Sequence, residues 1–142
     1  MKHIITLSIL LFSLMITSCK VTFEKTIEVP SNEVYSGRYE IKSLNGSELK
    51  RTLSFTIETS ENKISGKTDC NNYFATYSVS KNEIEIGPLG ATEMYCEENV
   101  MKAERELLKA YSDSKTFSFD GKMLTLFSEG GTLLIRAYKI SK

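Results

Sequence analysis

Histidine is nearly absent from this chain of 142 residues, since His3 is the only one. Catalytic triads and cysteine–histidine pairs need a histidine base, and His-ligated zinc or haem sites need a histidine ligand. His3 lies in an N-terminal segment that we expect to be removed. The mature chain could then build none of these sites, and carboxylates, lysines, tyrosines and two cysteines would remain as candidates for catalysis.

Net charge is also lacking, because 18 basic side chains balance 18 acidic ones. Nucleic-acid-binding domains usually carry a basic surface, and no basic patch interleaved with aromatic residues is visible here. We therefore expect no nucleic-acid partner. The sequence contains no internal repeat and no low-complexity segment, and its length suits one domain with a modest core.

The N-terminus has the pattern of an export signal. Met1-Lys2-His3 is a short basic start, and residues 4–15 are uncharged and mostly apolar. The run is shorter than the roughly 20 apolar residues that a helix needs to span a bilayer, and its length is typical of a signal peptide. Ile16-Thr17-Ser18-Cys19 resembles the bacterial lipobox, in which the cysteine receives a diacylglycerol before cleavage. An ordinary signal peptide is the alternative, but its cleavage site requires a small residue where this sequence has the bulky Ile16.

We accordingly divide the chain into a lipoprotein signal peptide (1–18), a lipidated N-terminus with a tether (19–36) and a domain (37–142). One acyl chain holds a protein only marginally, so two or three chains on Cys19 would give stable attachment to membrane lipid. The expected location is the bacterial cell envelope, and in a Gram-negative cell the outer membrane, facing the periplasm or the surface. Alternating apolar residues in the tether leave an edge strand open as a second interpretation: Val21, Phe23, Ile27 and Val29.

Beyond the tether the hydrophobic period is mostly two, which is typical of strands. Leu53, Phe55 and Ile57 alternate with small polar residues, and Asp120-Gly121 is a hairpin signal. One segment, about 98–112, has helical spacing instead, with its apolar positions at Val100, Ala103, Leu107, Ala110 and Tyr111. The predicted fold class is α+β, a curved antiparallel β-sheet or open barrel-like sheet with one packed α-helix.

Two cysteines, Cys70 and Cys96, remain in the mature domain. An exported chain meets an oxidising compartment, so the pair is predicted to form a disulfide. A metal site is the weaker alternative, because two thiolates without histidine supply only half of a zinc shell. Neither cysteine belongs to a Cys-x-x-Cys redox motif. We expect no metal and no cofactor.

Two blocks of the sequence resemble the META domain family, to which the heat-shock lipoprotein HslJ belongs. Residues 64–74, Ile-Ser-Gly-Lys-Thr-Asp-Cys-Asn-Asn-Tyr-Phe, are similar to its Gly-x-x-x-Cys-Asn-x-(x)-Phe signature. Residues 87–96, Gly-Pro-Leu-Gly-Ala-Thr-Glu-Met-Tyr-Cys, are similar to a second block that ends in Thr-x-Met-x-Cys. The order of the blocks and the matching cysteines extend the resemblance over about residues 37–140.

The resemblance implies a compact β-rich fold with one helix, an envelope location and no established catalytic activity. It also implies a role in envelope stress tolerance, envelope maintenance or secretion assembly. Its motif residues are expected to be structural, with Asn71 serving a turn and Thr92 and Met94 serving as turn and core residues. The full set of motif positions is Gly66, Asn71, Phe74, Thr92 and Met94.

Three functional hypotheses follow. The first is a monomeric, non-enzymatic interaction module that binds an envelope protein through its exposed surface. The second is a cavity in the curved sheet for a small apolar ligand or acyl chain, lined by Phe55, Tyr73, Tyr77 and Leu107, although plain core packing explains those residues as well. The third is an enzyme that uses a pair of carboxylates near the cysteines, from Asp69, Glu93, Glu97 and Glu98. Acidic residues at a helix start explain that group more simply, so we expect no catalytic residue.

Overall fold

The structure is a computed structural model that describes residues 33–140. The predicted signal peptide, Cys19 and most of the tether lie outside the described residues. Residues 33–36, at the end of the predicted tether, precede the first strand. No helix within residues 33–140 combines the length and the apolar character that a membrane crossing requires.

The described chain forms nine strands and one helix. Their bounds are β1 Gly37–Leu44, β2 Ser47–Glu58, β3 Lys63–Lys67, β4 Asn72–Ser80, β5 Glu83–Ile86, β6 Gly90–Ala91, α1 Glu98–Asp113, β7 Thr116–Phe119, β8 Met123–Phe127 and β9 Leu133–Ile140. Strands β1 to β5 form a meander in which each pairs antiparallel with the next. After α1, strands β7 to β9 continue it.

The sheet closes on itself because its first and last strands pair. The pairing of β1 with β9 runs from Arg38 opposite Ile140 to Leu44 opposite Ile135, and β5 meets β7 across the helix insertion. Eight strands thus form a closed antiparallel barrel, to which the short β6 adds on β4. The prediction of an open sheet is wrong on this point, while the barrel-like shape and the α+β class are confirmed. Closure removes long unpaired strand edges.

The barrel interior is filled by the apolar members of the alternating strands. Burial alternates along β4, where Tyr73, Ala75 and Tyr77 point inward and their neighbours are exposed. Strand β2 behaves likewise in its second half. The largest fully buried side chains of the core include Tyr39, Ile41, Phe55, Ile57, Leu124, Leu126 and Ile135. This packing, with interior and exterior residues alternating, is the expected arrangement for a small barrel.

The helix α1 begins and ends close to the predicted bounds, and its apolar stripe faces the barrel core. Leu107, Ala110 and Tyr111 are buried, whereas Val100 and Ala103 are only partly buried. The ring of Tyr111 meets two interior rings, that of Phe55 at 5.8 Å and that of Tyr73 at 5.6 Å between centroids. These contacts anchor the C-terminal half of α1 to the core and leave its N-terminal half near the loop that precedes it.

Candidate functional site

The turn between β3 and β4, residues 68–71, is held by the side chain of Thr68. The Thr68 hydroxyl accepts hydrogen bonds from the backbone N–H groups of Cys70 (3.1 Å) and Asn71 (2.7 Å). The backbone N–H of Thr68 in turn donates to the carbonyl of Asn71 at 2.8 Å. A threonine in a turn commonly satisfies local backbone donors in this way. The result is a tight corner that buries Cys70 and Asn71.

Cys70 and Cys96 form a disulfide, as predicted, with the two sulfur atoms 2.03 Å apart. The bond links the turn to the connecting loop, which we define as residues 92–97 between β6 and α1. The loop has no regular secondary structure. Its C-terminal end is therefore fixed covalently just before the helix begins.

The side chain of Asn71 holds the middle of the connecting loop. Its Oδ1 accepts hydrogen bonds from the Thr92 hydroxyl and from the backbone N–H of Met94, both at 2.8 Å. Its Nδ2 donates to the Met94 carbonyl at 3.3 Å and to Glu104 Oε1 at 2.9 Å. An asparagine amide has two acceptor positions and two donor hydrogens, so the buried amide is fully satisfied.

Glu104, on α1, connects the turn to the helix. Its Oε2 accepts hydrogen bonds from the Thr68 hydroxyl and from the backbone N–H of Asn71. One carboxylate thus contacts the turn, and the amide that it contacts holds the loop. Hydrogen bonds to a charged carboxylate are strong, so these contacts are enough to hold the half-buried Glu104 side chain in place. Hydrogen bonds and the disulfide thus connect the turn, the loop and the helix to one another.

The connecting loop exposes two large side chains although its backbone is fixed. Met94 is 59% exposed and Tyr95 is 88% exposed. The prediction that Met94 is a core residue is wrong, because the hydrogen bonds to Asn71 use its backbone and direct its side chain outward. Thr92, by contrast, has the predicted turn role, since its hydroxyl bridges Asn71 and the backbone N–H of Asn72.

A shallow hollow of about 390 Å³ lies beside these side chains. It is lined by Met94, Tyr95 and Met101 together with parts of the loop and Glu104. Glu93 and Glu97 are exposed in the same loop, and Glu98 starts the helix next to it. The surface therefore combines apolar contact area with an acidic surround.

Gly66 and Phe74 have distinct structural roles. A Cβ atom on Gly66 would lie 2.5 Å from the ring of Tyr73, its partner on β4, so glycine allows that ring to cross the strand. Phe74 points outward and is 58% exposed. Its ring lies over Gly90 of β6, where an added Cβ would come within 2.7 Å of it.

The residues predicted to line a ligand cavity pack against one another or against the helix. Phe55, Tyr73, Tyr77 and Leu107 are all buried. Phe55 stacks on Tyr39 at 5.3 Å, and the Tyr73 hydroxyl lies 3.2 Å from that of Tyr111. The hollow beside Leu107 measures only about 10 Å³, which is less than an acyl chain requires. The geometry favours the core-packing interpretation of these side chains.

Burial among apolar groups changes the acidity of the interior tyrosines. It raises the pKa of Tyr39 to about 12 and that of Tyr73 to about 12. Burial also raises the pKa of Tyr77, and it holds the pKa of Tyr111 well above its usual value. Desolvation disfavours the phenolate in each case. These hydroxyls stay protonated at neutral pH, and those of Tyr39, Tyr73 and Tyr111 form hydrogen bonds.

The four carboxylates considered for catalysis are spread over exposed positions. Asp69 pairs with Arg51, and Glu98 pairs with Arg105 at 2.6 Å. Glu93 and Glu97 are exposed in the connecting loop. The structure therefore brings none of the four into a buried pair, the arrangement that separates the pKa values of an acid and a base.

The sequence interpretation missed Thr68, Glu104 and the exposure of Tyr95. Thr68 precedes the motif cysteine by two positions, and Glu104 occupies an i+3 position from Met101 on α1. Neither carries a pattern that distinguishes a buried hydrogen-bonding residue from a solvated one. The one signal in the sequence was the motif asparagine itself, because a buried amide needs polar partners.

Comparison with known proteins agrees with this architecture. The family model of the META domain matches residues 32–139. An NMR structure of a protein from Burkholderia xenovorans has a TM-score of 0.60 at 17% identity, covering 75% of this chain and 83% of that one. A second NMR structure has a TM-score of 0.57 at 18% identity, covering 73% and 89%. A crystal structure of a DUF4847 family protein from Bacteroides vulgatus ATCC 8482 has a TM-score of 0.57 at 11% identity, covering 75% and 94%. No curated protein sequence matches the chain.

Proposed function

This chain belongs to the META domain family, and we propose from that premise that it is a non-enzymatic, lipid-anchored envelope protein that binds a protein partner. The observation that carries the proposal is the connecting loop. Its backbone is fixed by a disulfide and by Asn71, while Met94 and Tyr95 extend from it into solvent. Exposed aromatic and methionine side chains on a fixed backbone are favourable contact residues because little conformational entropy is lost on binding.

The partner surface that fits this loop has a pocket for the Tyr95 ring and a basic rim. Tyrosine is enriched at the energetic centres of interfaces, and the exposed Glu93 and Glu97 supply the complementary charge. Such a partner would support envelope stress tolerance, maintenance or secretion assembly. The exposed and separated carboxylates support the non-enzymatic part of the proposal.

A photo-reactive phenylalanine analogue at position 95 of the full chain, in cells, tests the loop. We expect one discrete crosslinked adduct that disappears when Met94→Glu is added. The analogue at position 138 is the matched control, since Tyr138 is a 41% exposed tyrosine on β9. Equal adducts from positions 95 and 138 would contradict the proposal. So would turnover of a defined substrate that is lost on changing a carboxylate.

The lipid anchor is tested separately by detergent phase partitioning. The motif Ile16-Thr17-Ser18-Cys19 supports an acylated Cys19, so wild type should enter the detergent phase and Cys19→Ala should remain in the aqueous phase. Cys70→Ala with Cys96→Ala is the control, because it removes the other cysteines and keeps the lipobox. Aqueous wild type would refute the anchor and leave the loop experiment unaffected.

A further inference from the structure

A second surface lies on the outside of the barrel, across β1 to β4. It is a groove of about 760 Å³ whose outward-facing residues include Arg38, Thr56, Ser65, Lys67 and Phe74. The connecting loop does not contribute to it. Its lining mixes short hydroxyl side chains, such as those of Thr56 and Ser65, with the longer side chains of Arg38, Lys67 and Phe74.

The strand register orders these residues into two rows. In the first, Arg38 is opposite Thr56, Thr56 is opposite Ser65, and Ser65 is opposite Phe74. Neighbouring strands lie about 4.8 Å apart, so the cation and the aromatic ring start from backbones about 14 Å apart. In the second row, Ser54 is opposite Lys67, and Lys67 is opposite Asn72. The groove thus has room for a short chain of ligand units.

The groove has an excess of hydrogen-bond donors and positive charge. None of its lining residues is acidic. Arg38 is held in place by Nε and Nη2 donating to the Ser54 hydroxyl at 3.2 and 2.9 Å. Within residues 33–140, Lys67 has no salt bridge and the Asn72 side chain has no hydrogen bond. Lys63, at one end, is 4.0 Å from Glu61 and is therefore partly neutralised.

Acidic residues do occur next to the groove, but they lie at its margins. Glu40 on β1 is opposite Ser54, at the end of the second row, and it pairs with Lys42. Glu58 is opposite Lys63 on the neighbouring strand. Neither carboxylate lines the groove. Among residues 33–140, the cationic groups that line the groove without a salt bridge are consequently Arg38 and Lys67.

We propose that this groove binds an acidic polysaccharide, with a sugar ring on Phe74 and the carboxylates of the polymer on Lys67 and Arg38. An aromatic face has a negative quadrupole that attracts the C–H edges of a sugar ring. The serine and threonine hydroxyls of the groove and the Asn72 amide supply partners for sugar hydroxyls. Arginine and lysine supply charge-assisted hydrogen bonds to carboxylates.

The same features favour a polysaccharide over two other polyanions. An anionic phosphatidylglycerol bilayer could pair with Arg38 and Lys67, but its headgroups offer no ring to stack on Phe74. An acidic peptide would gain from main-chain pairing at a strand edge, but β2 and β3 are paired on both sides. Neither of these ligands uses the exposed Phe74 ring together with the hydroxyl side chains of the groove.

Isothermal titration of the full chain in detergent tests the groove, with an oligogalacturonate as the probe. We expect binding that weakens as salt is added, and binding of a neutral galactan oligomer that is at least about tenfold weaker. Lys67→Gln and Phe74→Ala should each lower the affinity for the oligogalacturonate about tenfold. Lys102→Gln, which changes an exposed lysine on α1, should retain wild-type affinity. Phe74→Ala is read together with its circular dichroism spectrum, and Lys67→Gln tests the groove independently because Lys67 is exposed.

Several outcomes would overturn the proposal. They are the absence of binding, equal binding of the neutral oligomer, and equal losses for Lys102→Gln and Lys67→Gln. Poly-L-glutamate of matched charge that binds as tightly would assign the groove to an acidic peptide or to charge alone. Binding to phosphatidylglycerol vesicles that Lys67→Gln and Phe74→Ala both weaken, without binding to the oligogalacturonate, would assign it to the membrane surface.

Discussion

Asn71 determines how the connecting loop presents Met94 and Tyr95. Its amide makes four hydrogen bonds, two of them to the backbone of Met94, and the residue is only 3% exposed. Buried polar groups are costly when they lose their partners. The motif asparagine therefore complements the disulfide, because it holds the middle of the loop while the disulfide holds its C-terminal end.

Removing this amide should destabilise the domain. We expect Asn71→Ala to lower the free energy of unfolding by about 2 to 4 kcal/mol, since it leaves the Met94 N–H and one oxygen of Glu104 without their partner. The measurement is urea unfolding followed by circular dichroism, with the disulfide intact. Asn72→Ala is a matched control at the next position, where the side chain is exposed, and it should change stability by less than about 0.5 kcal/mol. Equal losses in the two variants would refute the role of Asn71.

The structural role of Asn71 could be predicted from the sequence, but its partners could not. Local turn chemistry explains an asparagine after a cysteine. Glu104 lies 33 residues away on α1, and its contact with Asn71 depends on how the helix packs. For the same reason the sequence suggested a core position for Met94. The backbone hydrogen bonds that turn its side chain outward are visible only in the folded chain.

At the scale of elements, local pairings were predictable and the long-range pairing was not. The two-residue periodicity and the Asp120-Gly121 turn identify strands and hairpins between sequence neighbours. The pairing of β1 with β9 joins the two ends of the domain, and nothing in either strand's pattern specifies the other as its partner. The expected sheet was consequently open where the observed barrel is closed.

For the helix and the disulfide as well, the sequence predicted the feature itself but not its long-range contacts. The helical spacing alone predicted α1, and the predicted export to an oxidising compartment was the reason to pair Cys70 with Cys96. Their combined effect on the connecting loop is visible only in the structure. The disulfide and the Asn71 amide fix the connecting loop, and Glu104 on α1 holds that amide in place. The groove on β1 to β4 was likewise not anticipated, because cross-strand rows follow from register rather than from sequence.

At the scale of the whole molecule, the two proposed binding surfaces lie on the outside of the barrel and the stabilising core lies inside it. The loop surface and the groove have no lining residue in common, so variants of one should leave the other intact. The interior holds the rings of Tyr39, Tyr73 and Tyr111, which contact Phe55 or one another. These buried hydroxyls make the stability of the entire barrel sensitive to alkaline pH.

Burial raises the pKa of Tyr39 and of Tyr73 to about 12, from a usual value near 10. Above pH 10 an unfolded chain releases these protons while the folded barrel retains them, so the free energy of unfolding falls as pH rises. The contribution is fully present below pH 10 and is lost as pH rises through about 12. At pH 11 each tyrosine should account for a loss of about 1 to 1.5 kcal/mol.

Urea unfolding at pH 8, 10 and 11 measures this fall, with free thiols assayed afterwards to verify that the disulfide is intact. The variant Tyr39→Phe with Tyr73→Phe should be less stable than wild type at pH 8, because the Tyr39 hydroxyl donates to the carbonyl of Tyr35 at 2.6 Å. Its stability should nevertheless decline less steeply between pH 8 and 11, since two of the titrating groups are gone. Tyr138→Phe, at a 41% exposed position, should keep the wild-type slope. A double variant that declines as steeply as wild type would show that the buried hydroxyls are not the groups responsible.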